Sequence, residues 1–271
     1  MTQCCRVFGA KRNTYYQWLN RPDKYSASLI LVIRSYFNEL GQTNGRRRLK
    51  LNLNSEKGID ISERQLRIIM KEQHLVTVWK GKKFKYADQE SECVAYSNVL
   101  NRQFDQPAPN KVWVSDITYI RTLSGWYYLA AVLDLYSRKI VGYAMSSSAN
   151  ADLVCRALTM AISCRNPAAG LIIHSDQGCQ YTSKDYQALV ARHGLTGSMS
   201  RRGNCWDNAV MERFFRSLKQ EHVWQYSYAN HSQARLSISE YILAVYNSKR
   251  LHSKLTYMSP NAYEEKMKTA N

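Results

Sequence analysis

The chain has 271 residues, 45% of them hydrophobic, and sets 38 Lys and Arg against 21 Asp and Glu, a formal net charge of +17. That length supports one sizeable core with one or two small modules, and the basic excess points to a polyanion, either nucleic acid or an anionic membrane surface. No run approaches the ~20 apolar residues of a membrane span, no apolar signal core opens the chain, and seven scattered cysteines without C-x-x-C or paired histidines support neither a zinc site nor a disulfide framework, so a cytoplasmic protein with reduced thiols is expected.

In chain order, residues 1–25 suggest a short helix, a turn at Gly9, the start of another helix and a stop at Pro22. Ser28 to Leu40 carries a wide apolar face and ends at Gly41, which predicts a helix. Residues 46–53 are ambiguous, because Leu49, Leu51 and Leu53 alternate with period two. A further helix begins at Ser62, where Ser62 and Gln65 have capping-box spacing. Its apolar side is Leu66, Ile69 and Met70. Its outer side carries Arg64, Arg67 and Lys71, at i, i+3 and i+7, which suits either a DNA-recognition face or a solvated helix surface. A basic link at 80–86 and a polar stretch ending in Gln106-Pro107-Ala108-Pro109-Asn110 then mark a boundary.

From Lys111 the pattern turns to strands. Residues 112–120, 126–135 and 139–146 are separated by short turns and predict an antiparallel meander. A helix over 150–165, a short strand at 171–175, a helix over 183–193 and a strand at 195–199 follow, and then a helix beginning near Asp207-Asn208. This is the element order of a ribonuclease-H-like α/β fold, a mixed sheet flanked by helices. A last helix over 232–246 and a basic tail complete the chain. The domain expectation is a helical DNA-binding module over 1–85, a linker over 86–110, a catalytic core over 111–225 and a helical extension over 226–271. The charge is shared: residues 1–110 carry +9 and residues 111–271 carry +8, as if an extended polyanion touched both halves.

Three carboxylates stand in settings that suit chemistry. Asp116 interrupts a buried strand, where an ionised Asp needs a cation, either a metal or a basic side chain. Asp176 ends the apolar run Leu171-Ile172-Ile173-His174-Ser175, at the carboxyl end of a strand where open α/β sheets bind ligands. Glu212 follows it by 36 positions on a helix that Asp207 is expected to cap, which would put Glu212 in the second turn. Acids so placed can converge on a pair of divalent metals that cut and rejoin phosphodiesters. Asp134 is the rival acid and is expected to order the turn with Ser137 and Arg138; His174 suits either a general base or a satisfied structural histidine. Arg216 and Lys219, at i+4 and i+7 from Glu212, suit phosphates beside a scissile bond or a surface ion pair. The loop with Arg201, Arg202, Gly203 and Trp206 suits an element closing over DNA, or an ordinary polar loop.

The motifs Trp113-x-Ser-Asp116-Ile-Thr-Tyr-Ile120, Gly125-Trp-Tyr-Tyr-Leu-Ala130, Asp134-x-Tyr-Ser-Arg138, His174-Ser-Asp-Gln-Gly178, Ser198-Met-Ser200, Asp207-Asn-Ala209 with Glu212, Lys219-x-Glu221, Tyr246-Asn247 and Arg250-x-His252 occur in order. Together they resemble the second-frame (OrfB) protein of bacterial insertion-sequence transposases, which has a core related to retroviral integrases. The resemblance runs from about 111 to 263 and more loosely over 5–80, where the family has a helix-turn-helix-like segment. It implies a D,D(35)E polynucleotidyl transferase with Asp116, Asp176 and Glu212 as the metal-binding triad, using two Mg²⁺, or Mn²⁺ in their place. It implies cleavage at element ends and strand transfer on double-stranded DNA, a homo-oligomeric synaptic complex, and fusion to or association with an upstream-frame helix-turn-helix protein. Two departures stand out: Thr43-Asn44-Gly45-Arg46-Arg47-Arg48, where the family has a Tyr-Gly-Tyr/His-Arg-Arg-like stretch, and Arg213 in place of a small residue. The rival readings are a non-catalytic DNA-binding regulator and a metal-dependent nuclease of the same fold.

Overall fold

The computed structural model describes residues 25–77, 95–201 and 203–269. The helices expected within residues 1–24, the basic link at 80–86 and Arg202 lie outside the described residues. Two units separate, residues 1–78 and residues 79–271.

In the first unit, Ser26 accepts a hydrogen bond from the Leu29 N–H and starts α1 (Ala27–Glu39). The ambiguous leucine stretch is helical, forming α2 (Arg46–Lys57). Leu49 and Leu53 are four residues apart, and that spacing lets both be buried on one helical face. Burial against Ile33, Phe37, Leu66 and Ile69 overrides the period-two pattern. The capping box at Ser62 and Gln65 forms in full and opens α3 (Glu63–Glu72). Leu66 and Ile69 turn inward, while Arg64, Arg67 and Lys71 are all exposed.

The second unit is built on a five-stranded sheet. Strands β1 (Val112–Thr122), β2 (Gly125–Asp134) and β3 (Ile140–Ser146) form the expected antiparallel meander. Helix α4 (Ala151–Arg165) leads to β4 (Ile172–Ser175), and α5 (Lys184–Arg192) leads to β5 (Thr196–Met199). Both strands run parallel to β1, so the spatial order is β3-β2-β1-β4-β5. Trp113, Ala130, Val132 and Ile173 pack one face of the sheet against α4 and α5, through Leu153, Ala157, Leu158 and Val190. Val114, Leu129, Ala131 and Leu133 pack the other face against α6 (Ala209–Glu221) and α7 (His231–Glu240), whose chain continues as a π-helical turn through Tyr246. A mixed sheet covered on both faces in this strand order is the ribonuclease-H-like architecture. Gly142 is required on β3, because a Cβ there would stand 2.4 Å from the Ala157 carbonyl oxygen and 2.7 Å from the Ala161 Cβ.

Two expectations need correction here. The basic tail is not a tail: residues Pro260–Thr269 form a helix, α8. Its buried Glu264 accepts hydrogen bonds from Ser137 (2.7 Å), Lys139 (3.3 Å) and Arg165, a satisfied ion cluster that local sequence does not reveal. Asp134 is structural as expected but has other partners. It lies opposite Trp113 and accepts from the main-chain N–H groups of Asn110 (2.8 Å) and Tyr136 (2.9 Å). Ser137 turns instead to Glu264, and Arg138 to the Phe104 carbonyl.

Candidate active site

The sheet brings Asp116 to the middle of β1, opposite Ala131 on β2. Its side chain is half-buried, and the Ile117 N–H donates to Oδ1 at 2.7 Å. Asp176 follows the last residue of β4, the strand paired in parallel with β1, and its Oδ1 accepts from the Gly178 N–H at 3.0 Å. A side chain at Gly178 would press on that same oxygen at 3.0 Å, so a small residue keeps the carboxylate in place. Glu212 reaches solvent from the first turn of α6.

Electrostatics tie the three acids together. Burial pushes the Asp116 carboxyl well above the usual carboxylate range; the charges of Asp176 and Glu212 push the same way, against the Ile117 hydrogen bond and the charge of Lys219. Asp176 and Glu212 are also raised, first by loss of solvent, with the Gly178 N–H and Arg216 respectively opposing. One oxygen of each aspartate is thus anchored by the main chain, and the charges of Lys219 and Arg216 do not offset the loss of solvent at Asp116 and Glu212. Hard carboxylate oxygens of this kind fit Mg²⁺ or Mn²⁺. Among the described residues, no three His, Cys, Asp or Glu side chains stand close enough to hold a single ion. Asp116 is the acid whose charge environment includes both others.

The elements around the acids differ from expectation at α6. Asp207 does not cap the helix. It is fully buried in the 3-10 turn Cys205–Asn208 and accepts from Asn98 (2.9 Å), Arg102 (2.6 Å) and the Arg201 N–H (3.1 Å). These bonds hold the carboxyl below its usual range despite its burial. The helix starts one residue later than expected, at Ala209 with Asn208 before it, and Glu212 falls in the first turn rather than the second. Asn208 takes over the positioning, its amide donating to the Ser115 carbonyl at 3.2 Å beside Asp116. Met211, Phe214 and Leu218 seat the helix in the core. Sequence reasoning missed Asn98, Arg102 and Asn208; only the Asp-Asn pair before an acidic helix hinted at the last.

The cations divide. Arg216 is exposed and lowers Glu212 by its charge. Lys219 instead lies over the Tyr119 ring, 4.0 Å from its centre, within reach of the Asp116 charge. Loss of solvent lowers its ammonium to about 8, with the Asp116 charge opposing. Arg201 donates to Asn101 at 2.6 Å and is exposed, while Arg64, Arg67 and Lys71 belong to the first unit. Of its two readings His174 fits the structural one: it is buried, bonded to Ser198 (2.9 Å) and Ser200 (3.2 Å), and lowered by desolvation to about 4.

Two integrase core domain families match the chain, one over residues 106–205 and the other over 193–260. The chain is 41% identical to an insertion element IS600 protein of 31 kDa from Shigella sonnei, covering 97% of each. It is 36% identical to transposase InsF of insertion sequence IS3A from Escherichia coli K12, covering 97% of this chain and 93% of that one. Among solved structures, the HTLV-2 integrase catalytic core in complex with magnesium aligns with a TM-score of 0.45 at 16% identity, over 57% of this chain and 95% of that one.

Proposed function

The chain belongs to the integrase-core transposases of insertion sequences, and on that premise we propose that Asp116, Asp176 and Glu212 are its catalytic triad for cutting and joining DNA. Transposition is DNA cleavage and strand transfer by a metal-dependent polynucleotidyl transferase, a reaction that needs carboxylates grouped at the edge of a nucleic-acid surface. The single observation carrying the assignment is the setting of Asp116, which is half-buried in a strand yet within reach of the charges of both other acids. A carboxylate pushed so far from ionisation, first by burial and then by like charges, is stabilised by a cation.

Two Mg²⁺ ions, with Mn²⁺ able to substitute, would supply Lewis acidity and neutralise charge at the attacking and leaving oxygens. The chain's own residues do the rest. Asp116 and Asp176 each keep one oxygen fixed on a main-chain N–H, so the other is directed without rotamer loss. Asn208 holds the start of α6 against β1 and so sets where Glu212 stands. Lys219 and Arg216 meet phosphates next to the scissile bond, and Arg201 with Arg202 extends that contact along the loop before α6. Arg64, Arg67 and Lys71 present a cationic helix face for DNA in the first unit. Double-stranded element ends and target DNA are the substrates, and several copies assemble to hold two ends together. Fusion to, or association with, an upstream-frame helix-turn-helix protein would supply further end recognition. Among the described residues no helix is long and apolar enough to cross a membrane.

The test is a cleavage and joining assay on DNA bearing the repeats that flank the element, in Mg²⁺, with Glu212→Gln in parallel. Joined products from wild type, none from Glu212→Gln and near-equal DNA binding by both are expected. Cutting without joining would make the protein a nuclease, and binding with neither would make it a regulator. Equal loss of binding and chemistry in Glu212→Gln would remove Glu212 from the triad.

A further inference from the structure

A strip of alternating cationic and aromatic side chains leads from Asp116 out along the β1–β2 hairpin. Lys219, beside Asp116, places Nζ 4.0 Å from the centre of the Tyr119 ring. Tyr119 meets Trp126 at right angles, ring centres 5.3 Å apart. The Arg121 guanidinium carbon lies 5.1 Å from the centre of the Trp126 ring, and Arg121 and Trp126 are register partners across the hairpin. The hairpin end is braced. Thr122 Oγ1 donates to the Gly125 carbonyl (2.8 Å), the Leu123 N–H to the Tyr228 carbonyl (2.9 Å) and Ser124 Oγ to the Ala229 carbonyl (3.1 Å). On this fixed support Trp126 remains 39% exposed and Leu123 at the tip 81% exposed.

Cations alone serve phosphates. Exposed aromatic rings beside them serve bases, whose faces are open only when the strand is unpaired. We propose that Trp126 and Arg121, with Tyr119 and Lys219 behind them, form a stacking track for unpaired nucleotides of the DNA strand whose scissile phosphate sits at Asp116. This rests on the transposase reading above and adds the state of the DNA it takes. Five residues of extended strand separate Asp116 from Arg121, about 17 Å at ~3.4 Å per residue; the odd spacing turns their side chains to opposite faces of β1, and Lys219, over the Tyr119 ring, links the two. That span accommodates about five stacked nucleotides at ~3.4 Å each. The braced tip keeps the track from folding away when no DNA is bound, so ordering costs little on binding.

The experiment measures binding of the full chain to two duplexes of the same sequence, one blunt and one with a short unpaired extension carrying 2-aminopurine. Wild type binds the extended duplex more tightly and quenches the 2-aminopurine by stacking. Trp126→Ala lowers the extended-to-blunt affinity ratio about fivefold or more, the loss of one base–aromatic stack, and restores the fluorescence. Trp126→Phe retains both. Arg121→Met, altering an exposed side chain, reads the same ratio if Trp126→Ala does not fold. A wild type without preference for the unpaired end, or a ratio unmoved in folded Trp126→Ala, overturns the track. Joining by wild type is followed in the same samples. Joining with an unmoved ratio refutes the track alone, whereas a lowered ratio with no cleavage by wild type refutes the transposase reading and supports the track.

Discussion

Replacing Arg250 by Met tests how the helix bearing Glu212 is held. Arg250 donates from Nε and Nη2 to the two oxygens of Glu221, at 2.8 and 2.7 Å, and from Nη2 to Ser217 at 2.8 Å. The Tyr241 hydroxyl donates to the same carboxylate at 2.8 Å. Glu221 and Ser217 lie on α6, so this cluster ties the chain beyond α7 to the far end of the helix that starts at the active site. Both charged side chains are mostly buried, 9% and 14% exposed. Loss of the guanidinium removes the counter-charge on a buried carboxylate, which costs about 3–5 kcal/mol. For a unit of this size each kcal/mol lowers the melting temperature by ~2–4 °C, so a fall of about 6–20 °C is expected in scanning calorimetry. Arg250→Lys keeps the charge but not the two-pronged geometry and should fall between. Glu221→Gln combined with Arg250→Met should lose less than the sum of the two single changes, since the orphaned charge is gone. A folded Arg250→Met that melts within about 2 °C of wild type would refute the clamp.

Three other outcomes are expected. Asp116→Asn should melt higher than wild type without metal. A carboxyl raised in the fold loses stability as pH rises through its folded pKa, so ionised Asp116 destabilises the protein at neutral pH. Mg²⁺ at a hundred times its Kd should stabilise wild type by about 2.7 kcal/mol and leave Asp116→Asn unmoved; an equal metal response in both would exclude Asp116 as a ligand. His174, held near pKa 4 in the fold against ~6.5 unfolded, takes up its proton only in the unfolded chain between those values, so stability is lost as pH drops through that window. Denaturant titrations at pH 7 and 5 should show His174→Gln spared about 2 kcal/mol of the wild-type loss, and identical losses would refute the neutral buried histidine. Gly142→Ala should destabilise by about 1–3 kcal/mol, because the new methyl meets the α4 backbone, and unchanged melting would mean α4 moves freely off β3.

Much of the fold was legible because its cues are local. Alternation over 112–146 marks the meander, and Asn150 and Ser183 each accept an N-terminal helix hydrogen bond at their predicted helix starts. The leucines of 46–53 were ambiguous because period two and an i, i+4 pair coexist there, and only burial against α1 and α3 selects the helix.

At the site, the sequence by itself determined which acids were available: one inside a strand, one at a strand end and one on an amphipathic helix. That follows from hydrophobic periodicity, which dictates which side chains share a face. What those side chains touch was decided by tertiary structure alone. Asp207 is claimed by Asn98 and Arg102 more than a hundred positions earlier, and Asn208 by Ser115. Lys219 turns from Glu212, its neighbour in sequence, to Asp116 on another element. Hydrogen bonds and charge pairs in a low-dielectric interior depend on distance in space, and the register of β1 against β2, β4 and α6 sets that distance.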